Sequence, residues 1–144
     1  MKSIFETARE DDRLSTSIRM IQAGGLEETL RGEGEYTAFF PTNEACSRFF
    51  GEVLAAVMDD RERLAGMILY HMVQGKLTVQ ELAGMEAIRT MQGDFLDITG
   101  PSHAIRLNDA VVVQPDIGCT NGIYHIIDRV LLPREVEARV RQQA

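Results

Sequence analysis

Histidines, cysteines and paired carboxylates are the side chains that hold metals, attack carbonyls or move protons, and this chain spreads them thinly. Its three histidines, His71, His103 and His125, lie far apart, and none has a second histidine or cysteine at ligand spacing. Metal binding needs such clustering, so no metal site is expected. His71 follows the apolar run Ile68-Leu69-Tyr70, and His125 sits inside Ile123-Tyr124-His125-Ile126-Ile127. Both therefore read as structural histidines. Cys46 and Cys119 stand in no signature that would lower a thiol pKa, and no Gly-x-Ser-x-Gly elbow occurs. Buried free thiols are the expectation for both, rather than a disulfide. The carboxylate pairs Asp59/Asp60 and Asp94/Asp97 fall at a helix start and a turn, where carboxylates are commonly solvated. Gly32 and Gly34 are flanked by Glu33 and Glu35, which would repel a phosphate. These residues predict no catalytic centre, no metal and no cofactor.

The elements that position them divide the chain in two. Leu14, Ile18 and Ile21 recur at helical spacing up to Gly24-Gly25, and a short helical turn is expected over Leu26 to Leu30. Tyr36 to Phe40 reads as a buried strand stopped by Pro41, with Asn43 as N-cap of a helix through Phe49-Phe50. Val53, Leu54, Val57 and Met58 give one apolar face, and Leu64, Met67 and Ile68 another. Thr78-Val79-Gln80-Glu81 matches a capping box. From Glu86 the period shortens to near two. Strands are expected over Ile88 to Met91, Phe95 to Thr99, Ala104 to Leu107, Ala110 to Val113 and Ile123 to Ile127, separated by Gly, Asn, Asp and Pro turns. Helices first and strands second predict an α+β fold.

The chain has 144 residues, 44% of them hydrophobic, and a formal net charge of −7. That length suits one domain able to bury its own core without staples. Fifteen basic against 22 acidic residues disfavour both a nucleic-acid surface and attachment to anionic lipid. The first residues hold no apolar run of signal-peptide length, and no segment is long enough to span a bilayer. A cytosolic chain and a domain freed of its leader both fit. The basic set is almost all arginine, Lys2 and Lys76 being the lysines, which with the minimal length points to a microbial protein.

Three stretches, in order, carry a resemblance. Tyr36-Thr37-Ala38-Phe39-Phe40-Pro41-Thr42-Asn43-Glu44-Ala45-Cys46 resembles the first signature of fasciclin-type adhesion domains, and Ile68-Leu69-Tyr70-His71-Met72-Val73-Gln74-Gly75 is similar to their central Tyr-His motif. Thr120-Asn121-Gly122-Ile123-Tyr124-His125-Ile126-Ile127-Asp128, running on to Pro133, resembles the second signature. The chain departs from the usual pattern at three places. Phe40 stands for a small alanine and Cys46 for a phenylalanine, a size exchange within one core. Tyr124 stands for Val or Ile, so its hydroxyl needs a partner or water.

The resemblance implies a single domain over 1–144, with its core at about 3–133 and a helical tail over 134–144. It implies a β-sandwich-like wedge of strands, with helices mainly from the N-terminal half packed around it. Pro41, Thr42, Asn43, Asn121, Gly122, His125 and Asp128 become structural motif residues. The implied activity is adhesion without catalysis, through proteins or glycans at a cell surface, an integrin-like receptor among them, and hence an extracellular or cell-envelope location. Two candidate contact sites follow from the same source. Pro115-Asp116-Ile117 resembles an Asp-Ile integrin motif, in which an exposed carboxylate on a Pro-stiffened loop completes a partner's cation. Tyr70-His71 lies in the other. Some family members bind carotenoids, so an apolar-ligand carrier using Met67, Met72 and Met91 is the alternative.

Overall fold

The computed structural model of the protein describes residues 2–49 and 60–133. The expected apolar face at Val53, Leu54, Val57 and Met58, the residue Asp59 and the tail from residue 134 lie outside these.

The first half is helical, as its periodicity predicts. α1 (Ile4–Arg9) starts at a capping box in which Ser3 Oγ accepts the Glu6 N–H and the Glu6 carboxylate accepts the Ser3 N–H. After a single 3-10 turn (Asp12–Leu14), α2 (Ser15–Ala23) buries Ile18, Met20 and Ile21. It ends where Gly25, at φ +77°, lets the Leu26 N–H reach back to the Ile21 carbonyl. α3 (Glu27–Arg31), α4 (Asn43–Phe49) and α5 (Arg61–Leu69) follow, and α6 (Val79–Ala83) opens on the expected Thr78–Glu81 capping box.

The strands are β1 (Tyr36–Pro41), β2 (Met72–Gln74), β3 (Ala87–Arg89), β4 (Phe95–Thr99), β5 (Arg106–Leu107), β6 (Ala110–Cys119) and β7 (Gly122–Ile127). They form one mixed sheet in the order β2-β1-β7-β6-β5-β4-β3. β1 and β7 are the parallel pair, in register from Tyr36↔Gly122 to Pro41↔Ile127, so the first and second signatures lie side by side. This pair explains the unbroken apolar runs, because both its faces are covered. Ala38, Phe40, Tyr124 and Ile126 join the helices in one core cluster, and Phe39 and Ile127 join Leu96, Ile98 and Leu107 in a second. The size exchange lies in the first cluster. Phe40 and Cys46 are both buried there, and the Phe40 ring meets Tyr124 at 5.2 Å between centroids.

Four assignments differ materially from expectation. The strand expected over Ile88 to Met91 is β3 and ends at Arg89. The strand expected from Ala104 shrinks to Arg106–Leu107, because the Ala104 N–H closes a turn on the Pro101 carbonyl. The strand expected at Ala110 to Val113 continues to Cys119. It can pass through Pro115 because a bulge there asks for no ladder donor from the proline. Asn43 is not the cap of α4. Thr42 Oγ1 accepts the Ala45 N–H instead, and Asn43 reaches back to α2, its Oδ1 accepting the Thr16 N–H and its Nδ2 donating to Asp12 O.

Candidate functional site

Pro115, Asp116 and Ile117 lie in a strand rather than on a loop. β6 pairs with β7 at Gln114↔Ile126 and again at Ile117↔Tyr124, so Pro115 and Asp116 together oppose His125. Two residues against one make a β-bulge, which turns a strand's side chains outward. Asp116 takes φ +60°, a left-handed conformation that short polar side chains tolerate better than most. Two bonds hold it there, and a third fixes the ring it leans on. Its N–H donates to His125 Nδ1 at 2.9 Å, its Oδ1 accepts the Val79 N–H at 3.0 Å, and His125 Nε2 in turn donates to Leu77 O at 2.8 Å. The carboxylate is nonetheless 40% exposed, flanked by exposed Pro115 and Gly118 and half-buried Ile117.

These bonds fix the protonation of His125. A ring nitrogen that accepts an N–H carries no proton, so the imidazole is neutral with its hydrogen on Nε2. The ring is fully buried and stacked on Phe39 at 5.7 Å. Burial lowers its pKa below the ordinary imidazole range, against the opposing pull of the Leu77 carbonyl and the Asp116 charge.

Tyr70 and His71 are enclosed, at 4% and 6% exposure. His71 bridges backbone to backbone, with Nδ1 bonded to Met67 O at 2.7 Å and Nε2 accepting the Leu131 N–H at 2.9 Å. It is likewise neutral, with its pKa pushed down to about 4 by burial. The Tyr70 hydroxyl donates to Phe95 O and accepts from Asn108 Nδ2, both at 3.1 Å. Tyr70→Phe is expected to cost about 1–2 kcal/mol in urea unfolding, by stranding both partners, while leaving any partner binding at Asp116 unchanged.

The remaining motif residues tie segments together. Asn121 Oδ1 accepts the Ile4 N–H, and its Nδ2 donates to Leu30 O and Gly32 O, joining α1, α3 and the β6–β7 turn. Asp128 Oδ1 accepts the Val111 N–H at 2.7 Å. Gly122, at φ +146°, lies against the backbone of Tyr36.

Cys46 and Cys119 are free and buried, which raises both thiols above their ordinary pKa. Met67 and Met72 help line an apolar cleft of about 30 Å³, room for a single water. Met91 packs on the core cluster beside it. Among the described residues, no group of three His, Cys, Asp or Glu could hold a metal, and no helix is long and apolar enough to cross a membrane. Sequence reasoning missed the residues that anchor Asp116. Leu77 and Val79 are more than 35 positions away and carry their bonds on backbone atoms, so side-chain type gave no signal. It also missed Phe95, 60% exposed over a groove of about 570 Å³ beside Tyr70, Asp97, Asn108 and Arg129. Strict alternation in Phe95-Leu96-Asp97-Ile98-Thr99 was the available clue.

The fold has its counterpart in known proteins. The family model of the fasciclin domain matches residues 12–133. The chain belongs to the fasciclin domain family. An uncharacterised protein of Synechocystis is 31% identical over 132 residues, covering 92% of this chain and 98% of that protein. Transforming growth factor-beta-induced protein ig-h3 of the pig is 32% identical over 133 residues, and there the match covers 92% of this chain but only 20% of the relative. The solved FAS1 domain pair of the insect cell adhesion molecule fasciclin I superposes with TM-score 0.72 at 18% identity, over 94% of this chain and 52% of that one. The α+β architecture is thus that of a fasciclin domain.

Proposed function

We propose that this fasciclin domain is a non-catalytic recognition module acting outside the cell or in its envelope, with Pro115-Asp116-Ile117 as its contact edge for a protein or glycan. The Asp116 bulge carries this reading. Its carboxylate is anchored through Oδ1 to the Val79 N–H yet remains 40% exposed. A side chain held in place before binding loses little conformational freedom on contact. An exposed carboxylate is also the group that completes the shell of a divalent cation held by a partner such as an integrin-like receptor. The kinship with an insect cell adhesion molecule supports adhesion as the activity. Both buried imidazoles have their ring nitrogens bonded to the backbone, which favours a scaffold role over acid–base catalysis. Tyr70 and His71 enter the reading as supports of the fold rather than as contacts.

The test is capture of cells, matrix proteins or a glycan array by immobilised domain, with Asp116→Asn beside the native chain. Asparagine keeps an oxygen for the Val79 N–H and removes the charge. Capture that depends on divalent cations and falls at least tenfold in the variant is expected. Equal capture by both proteins removes residues 115–117 from the contact surface, and no capture at all ends the adhesion reading.

A further inference from the structure

We propose that His125 is an acid-sensitive latch on the Asp116 bulge, and that a proton on its Nδ1 frees the Asp116 backbone and draws the Asp116 carboxylate inward. Its consequence for partner binding rests on the recognition reading above. The geometry supplies the argument. In the neutral ring Nδ1 accepts the Asp116 N–H at 2.9 Å, and it cannot do so once protonated, because two N–H groups would then face each other. Nε2 offers no alternative site for the added proton, since it already carries the hydrogen bonded to Leu77 O. An acceptor for the new Nδ1–H stands close by, Asp116 Oδ1 at 3.7 Å, so a movement of about 1 Å converts a backbone bond into an ion pair.

The bulge is suited to that movement. Asp116 occupies a positive φ that costs a non-glycine residue energy, less for aspartate than for most, and the His125 bond is one of the two that hold it there. Asp116, from β6, is the ionisable group that acts on the ring among the described residues. From the other elements packed against it, Phe39 of β1 and Leu77 ahead of α6 present a ring and a carbonyl, and neither carries charge. Burial opposes protonation and outweighs the Leu77 carbonyl and the Asp116 charge that favour it, so the ring takes its proton on the acid side of its ordinary range. Acid therefore pairs the Asp116 charge internally and takes it from a partner.

The test needs no partner. The full chain, labelled with ¹⁵N, is followed by NMR from pH 7.5 to 4.5. The expected result is one shared midpoint below pH 6.5 for the His125 ring nitrogens and the Asp116 amide, while the Ile126 and Ile127 amides stay at folded positions. Asp116→Asn removes the charge that stabilises the imidazolium, so it moves the His125 midpoint to lower pH. An Asp116 amide that stays still through the His125 titration overturns the latch. So does a His125 that remains neutral until the whole domain unfolds. Loss of capture in the Asp116→Asn variant at pH 7.5 is read separately and bears on the recognition reading alone.

Discussion

Gly122→Ala is expected to destabilise the domain by more than about 4 kcal/mol, enough to consume most of the stability of a chain this size. Two costs coincide at that position. The residue sits at φ +146°, which an L side chain adopts only under strain of about 1–3 kcal/mol. A Cβ there would also overlap the carbonyl oxygen of Tyr36 and lie 2.8 Å from its carbonyl carbon. That neighbour is backbone, held in the first rung of the parallel β1–β7 pair, and cannot rotate away. Relief requires β1 and β7 to part, which opens both core clusters together. Two controls separate the causes. Gly93, at φ +117° with nothing within 4 Å of a built Cβ, carries the backbone cost alone, so Gly93→Ala should cost about 1–3 kcal/mol. Gly118 has neither problem, and its alanine variant should stay within about 0.5 kcal/mol of the native chain. Urea unfolding followed by circular dichroism ranks the three. A Gly122→Ala midpoint equal to that of Gly93→Ala would refute the close approach of the two signatures.

What the sequence revealed divides along the line between local and distant causes. The α2 face at Ile18 and Ile21, the α5 face at Leu64, Met67 and Ile68 and the Thr78 capping box depend on residues within a turn or two and appear as expected, while Leu14 is buried from the 3-10 turn before α2. Asn43 misled for an instructive reason. It has the chemistry of an N-cap and stands at a helix start, but Thr42 is one residue better placed, and the Asn43 amide is used 27 and 31 positions away at Thr16 and Asp12. The Asp116 segment misled in the same way. Pro-Asp reads as a turn wherever it occurs, and only the β7 register shows that the pair is a bulge answered by one histidine. His125 was legible as structural from its apolar strand and Asp128 only through the resemblance, but the backbone atoms they hold, at Asp116, Leu77 and Val111, were not, because these lie on other segments. Tyr124 shows the limit of pattern alone. Its departure from an aliphatic residue is matched by Phe40, and no rule of spacing connects the two.

Acid should weaken this domain in a window set by His71 rather than by carboxylates. His71 is buried and neutral, with one ring nitrogen accepting the Leu131 N–H, and its pKa stands at about 4 against about 6.5 for an exposed imidazole. A folded-state pKa below the unfolded one means that the unfolded chain binds more protons, so stability rises with pH between the two values. The contribution is therefore complete above about pH 6.5 and disappears as pH falls towards 4. Between pH 7.5 and 4.5 the expected loss is about 2.5 kcal/mol. His125, also lowered by burial, adds to the loss with the same sign. Glu6 and Asp11 have lowered pKa values, through their bonds to Ser3 and to Arg13, so their stabilisation is lost as pH falls through the ordinary carboxylate range and below, mostly under this window. Urea midpoints measured at half-unit steps provide the check, with His71→Gln as the comparison. Glutamine offers an amide in place of the ring and has no proton to gain, so the variant should be less stable at neutral pH but lose less on acidification. An unchanged slope in His71→Gln would assign the acid sensitivity elsewhere. A reduced slope would show that the central Tyr-His motif sets the domain's acid limit from inside the core, through the bond that fastens Leu131 to the turn after α5.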